Sequence, residues 1–314
     1  MDSKLKGTLC GIVAAVSYGC NPLGALFLYQ EGLHPNTVIF YRFAFAAALL
    51  ALVLIATRKD MLATRKELSI LATLGVLFGI SSMSLYYSFG FMDAGIACTI
   101  LFVYPVMVAV IMAACFGERL TSATVTSIVL ALTGIALLYQ GDGQIALSTS
   151  GVLLVLLSSL TYAVYIVVVN KSPLRMSTVK LNFYVLLFCM ATIALFSYTS
   201  GNALQAIPTV RALGFEVFLA LVPTVVSLLT MVVAVHNVGS TPTAIMGALE
   251  PLTAVIIGIS VFGEHFSVRL GLGIALILVA VVLIILGKRF QPLHFVSRVG
   301  HAGMRVLRKS WRWR

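Results

Sequence analysis

Acidic residues are scarce in this chain, with 10 Asp and Glu among 314 residues, and charged residues of both signs reach only 10%, against about 25% in a soluble domain. Hydrophobic residues make up 60%, and the mean hydropathy is +1.06. A water-soluble fold of this size could not hide them, which excludes a soluble protein. Catalytic and metal-binding patterns are missing as well. There is no G-x-x-x-x-G-K-[ST] loop and no segment large enough for a soluble nucleotide domain, so nothing supports an ATP-driven pump. No H-E-x-x-H pair, paired intramembrane Asp or Ser/His constellation supports an intramembrane enzyme. The five cysteines, Cys10, Cys20, Cys98, Cys115 and Cys189, lie in apolar stretches without C-x-x-C spacing. Neither a disulfide framework nor a metal site is expected, and no cofactor is implied.

What the chain does have is apolar length. A helix needs about 20 apolar residues to cross a bilayer core. Ten stretches meet this need, roughly 6–29, 36–57, 68–90, 94–115, 121–140, 151–170, 180–199, 211–235, 241–262 and 268–287. They are apolar on every face, unlike the alternating strands of a membrane barrel, and the linkers at 31–35, 91–93, 117–120 and 236–240 are too short to fold alone. The expected fold is an all-α integral membrane protein with ten transmembrane helices.

A net charge of +11 raises the question of nucleic-acid binding until the charges are placed. With the N-terminus in the cytoplasm, the inside segments and tail hold 18 Lys and Arg, the outside segments hold Arg211 and Arg269, and Arg42 lies within a span. This is the positive-inside signature, so both termini are expected in the cytoplasm of a multi-pass plasma (inner) membrane protein. No nucleic-acid partner is implied; membrane lipid is the expected partner. The first apolar run exceeds a signal h-region and no small-residue cleavage site follows it, so no cleaved leader is expected. The tail 288–314 carries eight basic and no acidic residues, and reads either as a topological anchor or as a segment lying on the anionic inner leaflet.

The chain also repeats itself. At an offset of 144, Gly7, Leu9, Ser17 and Tyr18 meet Gly151, Leu153, Thr161 and Tyr162; at 146, Pro105 meets Pro251 and Phe116-Gly117-Glu118 meets Phe262-Gly263-Glu264. Residues 1–140 and 151–287 therefore read as two repeats of five spans each, followed by the basic tail at 288–314. Five is odd, so the second repeat must enter the membrane inverted. Two mirror-related halves around one midplane site are the architecture of secondary transporters.

The residues that carry the repeat also carry a resemblance. Thr99-Ile-Leu-Phe-Val-Tyr-Pro-Val with Phe-Gly-Glu118-Arg-Leu-Thr, and Leu249-Glu250-Pro251-Leu-Thr-Ala with Phe-Gly-Glu264-His-Phe-Ser, resemble the ends of the two repeats in EamA-type members of the drug/metabolite transporter superfamily. Arg42 matches an Arg common there. The resemblance covers residues 6–287 and implies a pseudo-twofold bundle of inverted five-helix repeats around a central cavity lined by spans 1, 3, 4, 6, 8 and 9. It further implies secondary transport of small organic metabolites, often export of amino acids or related solutes, with no catalytic chemistry. A proton-coupled multidrug exporter is the alternative within transport, and a non-transporting scaffold or receptor a remoter one.

With loops and tail set aside, Arg42 and Glu250 are the charges expected within the bilayer. At 1.5 Å per residue their depths differ by only about 6 Å, so an ion pair between spans 2 and 9 is geometrically open, as is a Glu250 that binds a substrate ammonium or carries a proton. Proline removes a backbone hydrogen bond, so Pro105 and Pro251 leave the carbonyls of Leu101 and Gly247 unpaired, and Asn21-Pro22 marks another break. Each is expected as a hinge or as a packing kink. Tyr18, Asn21, Ser82, Tyr86, Tyr104, Tyr162, Tyr165, Thr224 and Ser227 join Glu250 as candidate cavity residues, a set of rings and hydroxyls suited to amphipathic or zwitterionic solutes. Gly75 and Gly79 form a small-xxx-small face that serves either a helix of the same bundle or a second copy in a homodimer.

Overall fold

The computed structural model describes residues 2–58, 61–118, 122–139, 148–265 and 267–286. These form α1 (Ser3–Gly19), α2 (Asn21–Gln30), α3 (Pro35–Ala56), α4 (Arg65–Ser88), α5 (Ala94–Leu101), α6 (Tyr104–Phe116) and α7 (Ser122–Tyr139) in the first half. The second half holds α8 (Thr149–Lys171), α9 (Thr178–Thr199), α10 (Val210–Ala220), a π-helical turn (Leu221–Val226), α11 (Ser227–Val238), α12 (Ser240–Met246), α13 (Leu249–Phe262) and α14 (Val268–Leu286). Among the described residues there is no strand. Among the described residues nine helices or helix groups have the length and apolarity to cross a membrane, and Ser122–Tyr139 is a shorter tenth. The basic tail 288–314 lies outside the described residues.

Local chemistry sets the boundaries. Pro35 sits in the first turn of α3, where its missing N–H costs nothing. Thr64 and Glu67 cap α4 reciprocally: the Thr64 hydroxyl accepts from the Glu67 N–H at 3.3 Å, and the Glu67 carboxylate accepts from the Thr64 N–H at 2.8 Å. α6 and α13 both end on a left-handed glycine, Gly117 at φ 69° and its repeat mate Gly263 at φ 68°.

The repeats interlock. α1 packs along α11 and α13 of the second half, while its mate α8 packs along α4, α5 and α6 of the first; α3 lies against α9, and α7 against α14. Gly75 and Gly79 face α9 of the same chain: a Cβ on Gly75 would stand 2.2 Å from the Phe188 Cβ, and one on Gly79 would stand 3.3 Å from the Thr192 Cβ. Four of the spans are interrupted near their middles, α1/α2, α5/α6, α10/α11 and α12/α13. The mates α5/α6 and α12/α13 run antiparallel, because the start of α5 and the end of α13 meet at one end of the bundle. There α5 and α13 pack closely, and every residue of α5 is buried. At the other end α6 and α12 make no comparable contact among the described residues, and within α6 only Val106 is buried.

Candidate functional site

Four prolines account for the interruptions, and each frees the carbonyl four residues before it. All four carbonyls have found partners. Tyr18 O, freed by Pro22, accepts from Asn21 Nδ2 at 2.8 Å; Leu101 O, freed by Pro105, accepts from the Ser159 hydroxyl at 3.1 Å; Leu219 O, freed by Pro223, accepts from the Thr224 hydroxyl at 2.8 Å. Gly247 O, freed by Pro251, takes the Glu250 N–H at 3.0 Å in a tightened turn. Broken helices survive at membrane depth where the freed groups are satisfied by neighbours or face a wet cavity.

The breaks converge. A Cβ on Gly19 would stand 2.6 Å from the carbonyl of Glu250, and one on Gly247 would stand 3.7 Å from the Phe102 ring. Glu250 occupies the first turn of α13, where the positive end of the half-helix favours an anion. Its carboxylate is partly exposed in the bundle interior and has no hydrogen bond or ion pair among the described residues. Tyr18, Tyr104 and Tyr162, all partly exposed, lie within electrostatic reach of it. Tyr104 and Tyr162 meet edge to face with centroids 4.7 Å apart, Tyr162 stacks on Tyr165 at 5.7 Å, and Phe78 closes on both at 6.0 and 5.4 Å. The result is a carboxylate within electrostatic reach of a cluster of rings.

A second polar group lies beside it. Arg42 is only 4% exposed and donates from Nε to the Thr224 hydroxyl at 2.9 Å and from NH1 to the Tyr86 hydroxyl at 2.7 Å. Tyr86 donates onward to Asn21 Oδ1 at 3.3 Å. The ion pair between Arg42 and Glu250 does not form in this conformation. The guanidinium donates from Nε and NH1 to Thr224 and Tyr86 instead, with Tyr18 in electrostatic reach of both charges, and Glu216 lies within electrostatic reach of Arg42. Glu216 also corrects the expectation that Glu250 is the lone intramembrane acid, for it lies inside the span Val210–Val238 at 0% exposure. Its signal is an acid five residues inside the apolar run 211–235.

The remaining candidates separate. Ser227 is buried and donates to Ala14 O at 2.9 Å, tying α11 to α1. Ser82 is partly exposed on α4, whereas its neighbour Ser81 is buried and bonds Ser158 across the α4–α8 contact. At the bundle end where α5 and α13 meet, Glu264 accepts from the Ala94 N–H at 2.9 Å. Burial, with Asp93 adding like charge, pushes its carboxyl up to about 7; burial also raises Asp93, which His265 opposes. Its repeat mate Glu118 is exposed.

Comparison with known proteins agrees with this architecture. The model of the EamA-like transporter family matches residues 5–140 and again 149–286. "Uncharacterized transporter YcbK" of Bacillus subtilis (strain 168) is 24% identical over 285 residues, covering 86% of this chain and 90% of that protein. "Uncharacterized transporter YwfM" of the same organism is 26% identical over 163 residues, about half of each chain, 52% and 54%. A solved crystal structure superposes with a TM-score of 0.63 at 19% identity, over 89% of this chain and 96% of the other, and shows the shared fold. With two family matches spanning both halves of an apolar helical bundle, the chain belongs to the EamA-like transporter family and is a multi-pass membrane transporter.

Proposed function

We propose that this protein is a secondary transporter that exports small ammonium-bearing metabolites, amino acids or related solutes, across the plasma (inner) membrane by alternating access. The observation that carries the reading is Glu250: an unpartnered carboxylate in the first turn of a half-helix, partly exposed and walled by Tyr18, Tyr104 and Tyr162. A substrate ammonium would take the carboxylate while its apolar part lies on the rings. The positive-inside count supports both termini in the cytoplasm. On that orientation the closed α5–α13 end faces outward and the looser α6–α12 end faces the cytoplasm, an inward-facing state able to load solute for export. The stack of Phe78, Tyr162 and Tyr165 also favours a second reading, a multidrug exporter for flat lipophilic cations.

Counterflow into proteoliposomes, with a panel of labelled amino acids, amines and lipophilic cations, decides between them and names the solute. For that solute, Glu250→Gln is expected to lower kcat/KM at least about tenfold, the effect of losing roughly 1.4 kcal/mol of binding. Unchanged kinetics in that variant would defeat the role given to Glu250, and movement of no solute by the wild type would defeat transport of this class.

A further inference from the structure

Glu216 takes no part in the site built around Glu250. It lies on α10 at 0% exposure, and neither Oε1 nor Oε2 has a hydrogen-bond partner. The groups facing it are few. Arg42 faces it from α3, with Nε and NH1 already committed to Thr224 and Tyr86. Tyr29 faces it from α2, but donates its hydroxyl proton to Tyr86 O at 3.0 Å. Tyr86 faces it from α4. On its own helix Arg211 is turned away, lying over the rings of Phe27 and Phe215 and 3.6 Å from Glu31. From the π-helical turn comes Thr224, which titrates at no accessible pH.

A carboxylate charge without hydrogen bonds in such a place costs several kcal/mol. A proton on the carboxyl removes the charge and with it most of that cost, leaving the smaller cost of a buried neutral acid. The alternative is pairing with Arg42, which the packing of α3 against α10 permits, since the guanidinium needs only to release Tyr86 and Thr224. Thr224 lies in a π-helical turn at Pro223, and such turns recur at functional sites.

We propose that Glu216 is the proton-binding site that couples this transporter to the pH gradient, with Arg42 as its exchange partner. The inference rests on the transport reading above only for the word coupling. In the described state the carboxyl holds its proton and Arg42 holds Tyr86 and Thr224. When the carboxyl O–H bond breaks, the electron pair stays on Glu216 and the proton passes to water on the Tyr18 side, beyond Tyr86 and Asn21. Arg42 then leaves Tyr86 and Thr224 for the carboxylate, and the pair goes from one net positive charge to none. Because Tyr86, Asn21 and the Tyr18 carbonyl form one hydrogen-bonded line toward the midplane, the exchange reaches the α1/α2 break beside Glu250.

Infrared spectroscopy of the full chain in lipid, with no solute present, tests the site directly. Raising the pH is expected to remove a carboxylic-acid C=O component from the wild-type spectrum, and Glu216→Gln is expected to lack that component while Glu250→Gln retains it. Retention of the whole component by Glu216→Gln overturns the proposal. In proteoliposomes an imposed pH gradient is expected to accumulate the solute named by counterflow, and Glu216→Gln to lose that accumulation; accumulation equal to wild type overturns the coupling role. Should Glu216→Gln fail to fold, Glu216→Asp decides, with a displaced pH profile expected and an unmoved one overturning the proposal. A wild type that moves no solute, yet shows the Glu216 infrared component, would defeat the transport reading and leave the proton site standing.

Discussion

Leu101 shows how a proline inside a membrane helix is tolerated. Pro105 removes the bond its carbonyl would have received, and Ser159, 0% exposed on α8, supplies the replacement at 3.1 Å. The freed carbonyls at Leu101 and Gly247 were legible from the sequence because the rule is local, four residues back from each proline. The donor was not, because Ser159 lies 58 positions away and nothing but the packing of α8 on α5 brings it there. The same limit separates Glu250 from Glu216. Glu250 stood out beside its proline, whereas the weight of Glu216 comes from α2, α3 and α4 closing over it. For Ser159→Ala the expected cost is about 0.6–2 kcal/mol of stability, the range for a hydrogen bond between membrane helices, since the Leu101 carbonyl is left without a donor. Thermal or SDS unfolding of the purified protein measures it. A Thr in the same place restores the hydroxyl and is expected to recover most of the loss, which a pure packing defect would not.

At the level of elements, the end of α13 is held to the start of α5 by one side chain and two small residues. Glu264 reaches the Ala94 N–H only because Gly258 and Gly95 leave it room: a Cβ on Gly258 would stand 2.0 Å from Oε2, and one on Gly95 would stand 3.1 Å from it. The repeat that placed Phe-Gly-Glu264 opposite Phe-Gly-Glu118 was plain in the sequence. Its asymmetry was hidden, because the glycines matter through a contact between mates and not within either one: the positions equivalent to Gly258 and Gly95 are Met112 and Thr241. The latch is sensitive to pH. Packed against α5, Glu264 titrates at about 7 instead of its ordinary 4.5, so between those values the latched end holds more protons than an opened, hydrated one. By linkage, falling pH favours the latched end; the contribution is complete below about 4.5 and is lost as pH rises through about 7, and the raised Asp93 acts in the same sense. Spin labels on Phe91→Cys and Val261→Cys in a cysteine-free background are expected to move apart over that window. Gly258→Ala, which forces the carboxylate off Ala94, is expected to hold them apart at every pH.

Across the whole molecule, what the sequence disclosed was what depends on composition and period: ten apolar lengths, a duplication, and a bias of Lys and Arg to one side. What it could not disclose was how the halves interlock. Exchange of α1 and α8 between the repeats, and the facing of Gly75 onto Phe188 within one chain, are properties of surfaces that meet only after folding. The same holds for the state of the bundle. Close packing joins α5 to α13 at the Asp93 and Glu264 end, with no comparable contact of α6 with α12 among the described residues; this supports the inward-facing reading proposed above, in which the midplane is reached from the α6–α12 side. On the orientation proposed above, that side is the cytoplasm. A cysteine introduced at Tyr18, partly exposed beside Glu250, is therefore expected to react with a membrane-impermeant maleimide faster in inside-out than in right-side-out vesicles. A tenfold preference corresponds to about 1.4 kcal/mol between the two states. Gly258→Ala, acting more than a helix turn away and on the opposite side of the break, is expected to erase or reverse that preference. Equal labelling from both sides before and after that change would mean that the latch does not control access, and that the two ends of the bundle open independently.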